Sequence, residues 1–278
     1  MPKIPWAAVA LGVIGACVSA IVGAPLSVSA QTYDAAKPVP RTTSAPALRA
    51  LAIQREVHER FSLGLQASVR NDWTAAAVQF ERILALKPQE PQASTAHYDL
   101  ASAYAGLKHY DAAAQQLQAA IAGDPGFLAA YANLVAVDLA RGDLGAARNA
   151  ADRFIALAPE SARALYSRGI VALRDGDSQI ARSDFGKLLQ SNPSYAIAHY
   201  DLALAESRLG RYDIALTELQ AALSLAPAYA RARFALGAVL LRDGQRAAAR
   251  VAFDRAMHDA GSDPTLRNLA AALRDSIR

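Results

Sequence analysis

The sequence predicts an all-α protein built from about six copies of one helix-turn-helix unit. Three columns of residues predict it. Pro88, Pro125, Pro159, Pro193 and Pro227 are spaced 37, 34, 34 and 34 residues apart. Gly142, Gly176, Gly210 and Gly244 recur every 34 residues. Ala76, Ala113, Ala147, Ala181 and Ala215 stand twelve residues before each proline, and Ala249 continues the column. Gly and Pro are scarce enough that strict spacing carries weight, whereas Ala is abundant and adds less. Self-similarity at a period of 20–50 residues is the mark of a stacked repeat array.

Residues 1–30 carry one charge, Lys3, followed by an apolar stretch from Ala7 to Val22 and by Val28-Ser29-Ala30. A short basic start, an apolar centre and small residues at −3 and −1 make the pattern of an export signal cut after Ala30. Two other readings stay open. The stretch from Ala7 is long enough to remain as an anchor, since roughly 20 apolar residues span a bilayer. Ile14-Gly15-Ala16-Cys17 also resembles a bacterial lipobox, which would place a lipid on Cys17. Residues 31–46 hold Pro38, Pro40 and Pro46 among Ser and Thr and show no apolar period, so they read as an extended tether.

From Ala47 the pattern is helical to the end. Numbering each unit 1–34 with proline at position 32, the units are 57–90, 94–127, 128–161, 162–195, 196–229 and 230–263. Gly at position 15 falls just past the first helix, where a left-handed residue closes a helix end. Four residues after each column Ala sits Phe80, Leu117, Ala151, Phe185, Leu219 or Phe253, on the same helix face as that Ala. Three residues, Pro91–Ala93, are inserted between units one and two, implying a longer loop or an added turn. Residues 264–278 form one more amphipathic helix, suited to cap the array.

The A-x3-F…P pattern at period 34 resembles the tetratricopeptide repeat (TPR) family over residues 47–278. The resemblance implies a right-handed TPR solenoid and a non-catalytic scaffold or adaptor for protein or peptide segments. Three positions depart from it: Arg168 stands where Leu is common, and Asp138 and Glu206 where a large side chain is common.

At about 100° per residue, positions 2, 5, 9, 12 and 13 of the first helix share a stripe. In TPR proteins that stripe lines the concave, partner-binding groove. Position 5 reads Phe61, Tyr98, Ala132, Tyr166, Tyr200, Phe234, and position 13 ends in Arg174, Arg208, Arg242. Arg163 and Arg231 occupy position 2. Tyr and Arg are favoured anchors at interfaces. The same aromatics serve equally as core, and the same arginines as cations at helix C-termini. The Lys and Asn set by which one TPR subclass clamps carboxylates is missing, since position 6 has Asn only at Asn133. The groove implied is apolar and aromatic with Arg at its rim, suited to a hydrophobic or mildly acidic segment.

Composition narrows the function classes. With one Cys and five His, a disulfide framework or Cys-rich zinc site is excluded. No nucleotide loop, nucleophile elbow or metal-binding His pair is present. His97 and His199 lie in a repeated Ala-His-Tyr-Asp-Leu-Ala string three periods apart, too far to share a metal. No cofactor is implied. Residues 228–278 carry a net charge of +4, yet no Lys/Arg block points to nucleic acid. The expectation is an exported, periplasmic or secreted scaffold; the alternative is a membrane-anchored lipoprotein assembly factor of the pilotin kind that serves type IV pili.

Overall fold

The computed structural model describes residues 44–277. Among them are thirteen α-helices and no strand. The export signal, Cys17 and residues 31–43 of the tether lie outside the described residues. The chain divides into two compact units, residues 44–143 and 144–277, with the division falling inside the third repeat.

The first unit holds α1 (Ala45–Val69), α2 (Trp73–Ala85), α3 (Gln92–Gly106), α4 (Tyr110–Gly123) and α5 (Leu128–Ala140). The second holds α6 (Leu144–Leu157), α7 (Ala162–Asp175), α8 (Ser178–Ser191), α9 (Ala196–Arg208), α10 (Tyr212–Leu225), α11 (Ala230–Arg242), α12 (Arg246–Asp259) and α13 (Pro264–Ser276). Within each unit every helix packs on the next, and first helices of successive repeats also touch, as α7 does α9 and α9 does α11. This is the all-α repeat fold that the sequence predicts.

One boundary is corrected. The tether expected over residues 31–46 gives up its last two residues to helix, since α1 begins at Ala45 with Pro46 in its first turn. Proline is tolerated there because the first N–H groups of a helix have no intrahelical partner to lose. The inserted Pro91–Ala93 run into the start of α3, so that helix begins at Gln92, two residues ahead of the repeat register.

The Ala and +4 columns form the core. Ala76, Ala113, Ala147, Ala181, Ala215 and Ala249 are fully buried, and Phe80, Leu117, Phe185, Leu219 and Phe253 are buried beside them. In repeat three Ala151 is small, and Phe154 is buried three residues later. Position 8 explains how the helix pairs approach so closely. A Cβ on Gly169 would come within 2.6 Å of the Phe185 ring, and Gly64 and Gly237 face Phe80 and Phe253 in the same way. The missing side chain is the space into which the ring fits.

Helix ends follow local chemistry. Gly176 closes α7 at φ +91°, a left-handed conformation that Gly adopts without steric cost. In the first two repeats the same register is filled by Asn71 at φ 58° and Lys108 at φ 62°. Asp72, Asp177 and Asp263 cap their helices by accepting backbone N–H groups of Ala75, Ile180 and Leu266.

A second repeated device lies at position 4. Tyr131 donates its hydroxyl to the Pro125 carbonyl at 3.2 Å, and His199 Nε2 donates to the Pro193 carbonyl at 2.9 Å. Arg233 and Arg267 donate likewise to the carbonyls of Pro227 and Gly261. Each bond reaches six residues back, tying a first helix to the loop that precedes it. Arg267 lies 34 residues after Arg233, so α13 is in the register of a further first helix.

Candidate protein-binding surface

The stripe that the sequence assigns to a groove is shared between the units. In residues 44–143 it carries Phe61 and Tyr98; in residues 144–277 it carries the other eight candidate residues. The structure places the aromatics inward. Tyr98, Tyr166, Tyr200 and Phe234 are buried, and Phe61 is half-buried. Phe61, Tyr166 and Phe234 pack on Phe80, Phe185 and Phe253 of their own repeats, with ring centroids 6.3, 5.9 and 5.6 Å apart. Tyr98, Tyr166 and Tyr200 also pack on Phe127, Tyr195 and Tyr229, the residues that lead into the next first helix. The reading of these rings as a partner-contact row is therefore corrected to core. Position 5 points at the seam between repeats, where a large flat side chain gains more by filling the joint than by facing solvent.

The arginines separate into two kinds. Arg208 donates to the carbonyl of Leu173 at the C-terminal turn of α7, and burial lowers its pKa. It is thus a cation placed on the carbonyl end of the neighbouring repeat's helix, favourable for the helix dipole. Arg163, Arg174 and Arg231 are half-exposed and Arg242 is exposed. Between them the stripe is closed by Ile170, Leu204 and Ala238 at position 9, all buried. In residues 144–277 it is therefore an apolar floor with guanidinium groups along it.

A polar row at position 6 went unread in the sequence except for Asn133. Asp99, Asn133, Ser167 and Asp201 are all buried there. Reading the column down the repeats would have found it, since polar residues recur in an otherwise apolar stripe. Burial pushes the pKa of Asp99 up to about 7. Burial does the same to Asp201, to about 7, against a downward pull from the Tyr166 hydrogen bond. The Tyr166 hydroxyl of repeat four therefore donates to the carboxyl of repeat five. A carboxyl without a cation in an apolar site is favoured in its neutral form.

The three departures from the repeat pattern are charge pairs. Arg168 holds Asp184 through two hydrogen bonds of 2.7 Å, with Asp184 fully buried. Asp138 accepts from Arg141 Nε at 2.9 Å; burial still raises its pKa to about 6. Glu206 meets Arg182 at 3.2 Å and Arg211 at 3.6 Å. His97 and His199 tie the two helices of their repeats together. His97 Nδ1 lies 2.7 Å from Gln116 Oε1, and His199 Nδ1 lies 2.6 Å from Glu218 Oε2. Among the described residues no three His, Cys, Asp or Glu side chains gather as a metal site would require. No described helix is long and apolar enough to cross a membrane.

Comparison with known proteins agrees with this architecture. A tetratricopeptide-repeat family model matches residues 61–126, 134–196 and 166–206, and a second TPR-repeat model matches residues 205–244. No curated protein matches the chain in sequence. Among solved structures, a tetratricopeptide repeat protein from Parabacteroides merdae superposes with a TM-score of 0.70 at 18% identity, over 80% of this chain and 87% of that one. A chain of the APC/C hetero-tetramer Cut9–Hcn1 gives 0.65 at 19% identity, over 80% and 45%. The MamA protein gives 0.54 at 22% identity, over 61% and 93%. At these identities the likeness is one of fold. The helix-pair register, the buried Ala and Phe columns and the family match over half of the sequence lead to one conclusion: the chain belongs to the tetratricopeptide-repeat family.

Proposed function

We propose that this protein is an exported, non-catalytic scaffold of the cell envelope, acting in the periplasm or outside the cell, that holds a segment of a partner protein on the first-helix stripe of residues 144–277. The observation that carries this reading is the placement of Arg163, Arg174, Arg231 and Arg242, which keep exposure beside a closed apolar floor. Guanidinium groups in that setting select carboxylates and backbone carbonyls, and the apolar floor excludes water around them. An apolar or mildly acidic segment fits that chemistry. The apolar, nearly uncharged start of the chain supports export.

The test is capture from an envelope fraction by the wild-type chain and by a variant with Arg174, Arg231 and Arg242 changed to Glu. A set of partners is expected on the wild type and lost from the still-helical variant. Each guanidinium–carboxylate bond contributes about 1.5–3 kcal/mol where water is excluded, against about 0–1 where it is exposed. Retention of the same partners by both would remove the stripe as the site. The lipobox-like Cys17 keeps the lipoprotein assembly-factor reading as the alternative. Mass spectrometry of the mature protein separates the two, since a chain beginning at Gln31 carries no lipid on Cys17.

A further inference from the structure

At position 4 of repeat five the tie to the preceding loop is made by a titratable side chain. Both ring nitrogens of His199 face oxygen acceptors. Nδ1 lies 2.6 Å from Glu218 Oε2 on α10, and Nε2 lies 2.9 Å from the Pro193 carbonyl in the loop before α9. A carboxylate and a carbonyl each need an N–H, and an imidazole carries two only as the cation. The arrangement is therefore that of an imidazolium. In repeat six Arg233 makes the same two kinds of bond, to Asp259 and to the Pro227 carbonyl. A guanidinium keeps its charge throughout. In repeat two His97 meets one partner, the neutral amide of Gln116, and needs no charge. Repeat five thus does with a removable proton what repeat six does with a permanent one.

Loss of that proton has a definite direction. A neutral imidazole has one N–H, and the carboxylate wins it, since a hydrogen bond to a charged acceptor is roughly twice as strong as one between neutral groups. Nε2 then presents a lone pair to the Pro193 oxygen, and two acceptors face each other. The His199 side chain is 15% exposed and that of Glu218 21%, so protons reach both from solvent. Glu218 is the charged group that meets His199 from α10. Among the described residues no charged side chain of α7, α8 or α11 is paired with it. Asp201, two residues further along α9, is bonded by Tyr166 instead. What the tie holds is the loop. Tyr195, two residues after Pro193, stacks on Tyr166 of repeat four at 5.6 Å, and its N–H donates to the Asn192 carbonyl at 3.2 Å.

We infer that His199 is a proton-operated latch on residues 192–195: charged, it ties the Pro193 carbonyl to α9 and α10 and keeps Tyr195 at the joint with repeat four; neutral, it keeps Glu218 and releases the loop. The latch does not depend on the partner reading. It acts between about pH 5 and 8, where histidine changes charge. The release is local, because α9 stays held by its buried Ala198, Tyr200 and Leu204.

The experiment is hydrogen exchange of the full chain at pH 5 and pH 8, corrected for the intrinsic pH dependence of exchange. It is made in an Asp201→Asn background, so that this carboxyl does not contribute. The readout is the Tyr195 amide. The reference is the Tyr229 amide in the loop tied by Arg233, which donates to the Ala226 carbonyl at 3.0 Å. Protection at Tyr195 is expected to fall at least about fivefold from pH 5 to pH 8, the scale of one lost hydrogen bond, with Tyr229 unchanged. His199→Arg, which copies repeat six, is expected to keep the high protection at both pH values. Should that variant fail to fold, His199→Gln serves, with the low protection expected at both. Equal protection at pH 5 and pH 8 with His199 in place overturns the proposal. So does a fall that persists in either variant, or one of the same size at Tyr229.

Discussion

Replacing Arg168 by Ala is expected to destabilise residues 144–277 by about 3–5 kcal/mol, the usual cost of leaving a buried charge unpaired. Asp184 is fully buried and both its oxygens accept from Arg168 at 2.7 Å, and among the described residues no other cation is paired with it once the guanidinium is gone. The carboxylate in turn raises the pKa of Arg168, chiefly through that hydrogen bond. The pair itself is not the most stable solution for the site. Two charges have left water, and an apolar pair of similar volume is commonly neutral or better. The double variant Arg168→Leu with Asp184→Ala, which restores the residue usual at position 7, is therefore expected to recover most of the loss. Urea unfolding by circular dichroism, with hydrogen exchange read in α7 and α8, measures both. A single variant no weaker than the double would show that the pair does not hold this joint.

The second large effect is of pH. Asp99 and Asp201 have folded-state pKa values raised to about 7, in each case first by burial. In the unfolded chain an aspartate titrates near 3.9. Between these values the folded state binds more protons than the unfolded state, so stability falls as pH rises. The fall is expected to begin near pH 4 and to level off above pH 7, and to amount to roughly 2–4 kcal/mol for each fully buried carboxyl. This is opposite to an aspartate whose pKa an ion pair lowers, which stabilises more as pH rises. Asp201→Asn keeps the shape and the hydrogen bond with Tyr166, and is expected to flatten the profile of residues 144–277. Asp99→Asn is expected to remove the larger part of the fall in residues 44–143, leaving the share of Asp138, whose pKa burial raises to about 6. Hydrogen exchange at pH 5 and pH 8, read separately in α3 and α9, measures it. Equal protection at both pH values in the wild type would contradict the burial account.

The repeat was legible because it is carried by residues whose job is local. Gly at position 15 supplies a left-handed helix end, and the Ala and Phe columns supply close approach on one helix face. The first depends only on near neighbours in sequence, and the second recurs down the repeats, so both columns are visible. What depends on neighbouring repeats was not legible. Tyr98, Tyr166 and Tyr200 fall on the stripe by helix angle, yet they lean into the joint and stack on Phe127, Tyr195 and Tyr229. Angle alone does not distinguish a groove from a seam. Arg168 stood out as a departure, but its partner Asp184 is sixteen residues away on the second helix, and only the packed pair makes sense of either. The carbonyl bonds of Tyr131, His199 and Arg233 escaped for a simpler reason: three different residue types perform one task, so no column is visible. Asn71 and Lys108 occupy left-handed positions that Gly fills in later repeats, which hid the register of the first two helix ends.

The first-helix stripe of residues 144–277 is proposed to hold a partner. Site-specific photocrosslinking tests it most directly. A photoreactive phenylalanine is placed at Arg174, at Arg231 and, as a reference, at Val251, which is exposed on the second helix α12. One and the same protein is expected to crosslink from positions 174 and 231 in the cell envelope, and none from 251. Crosslinks from 251 alone, or equally from all three, would contradict it and place the partner on another face.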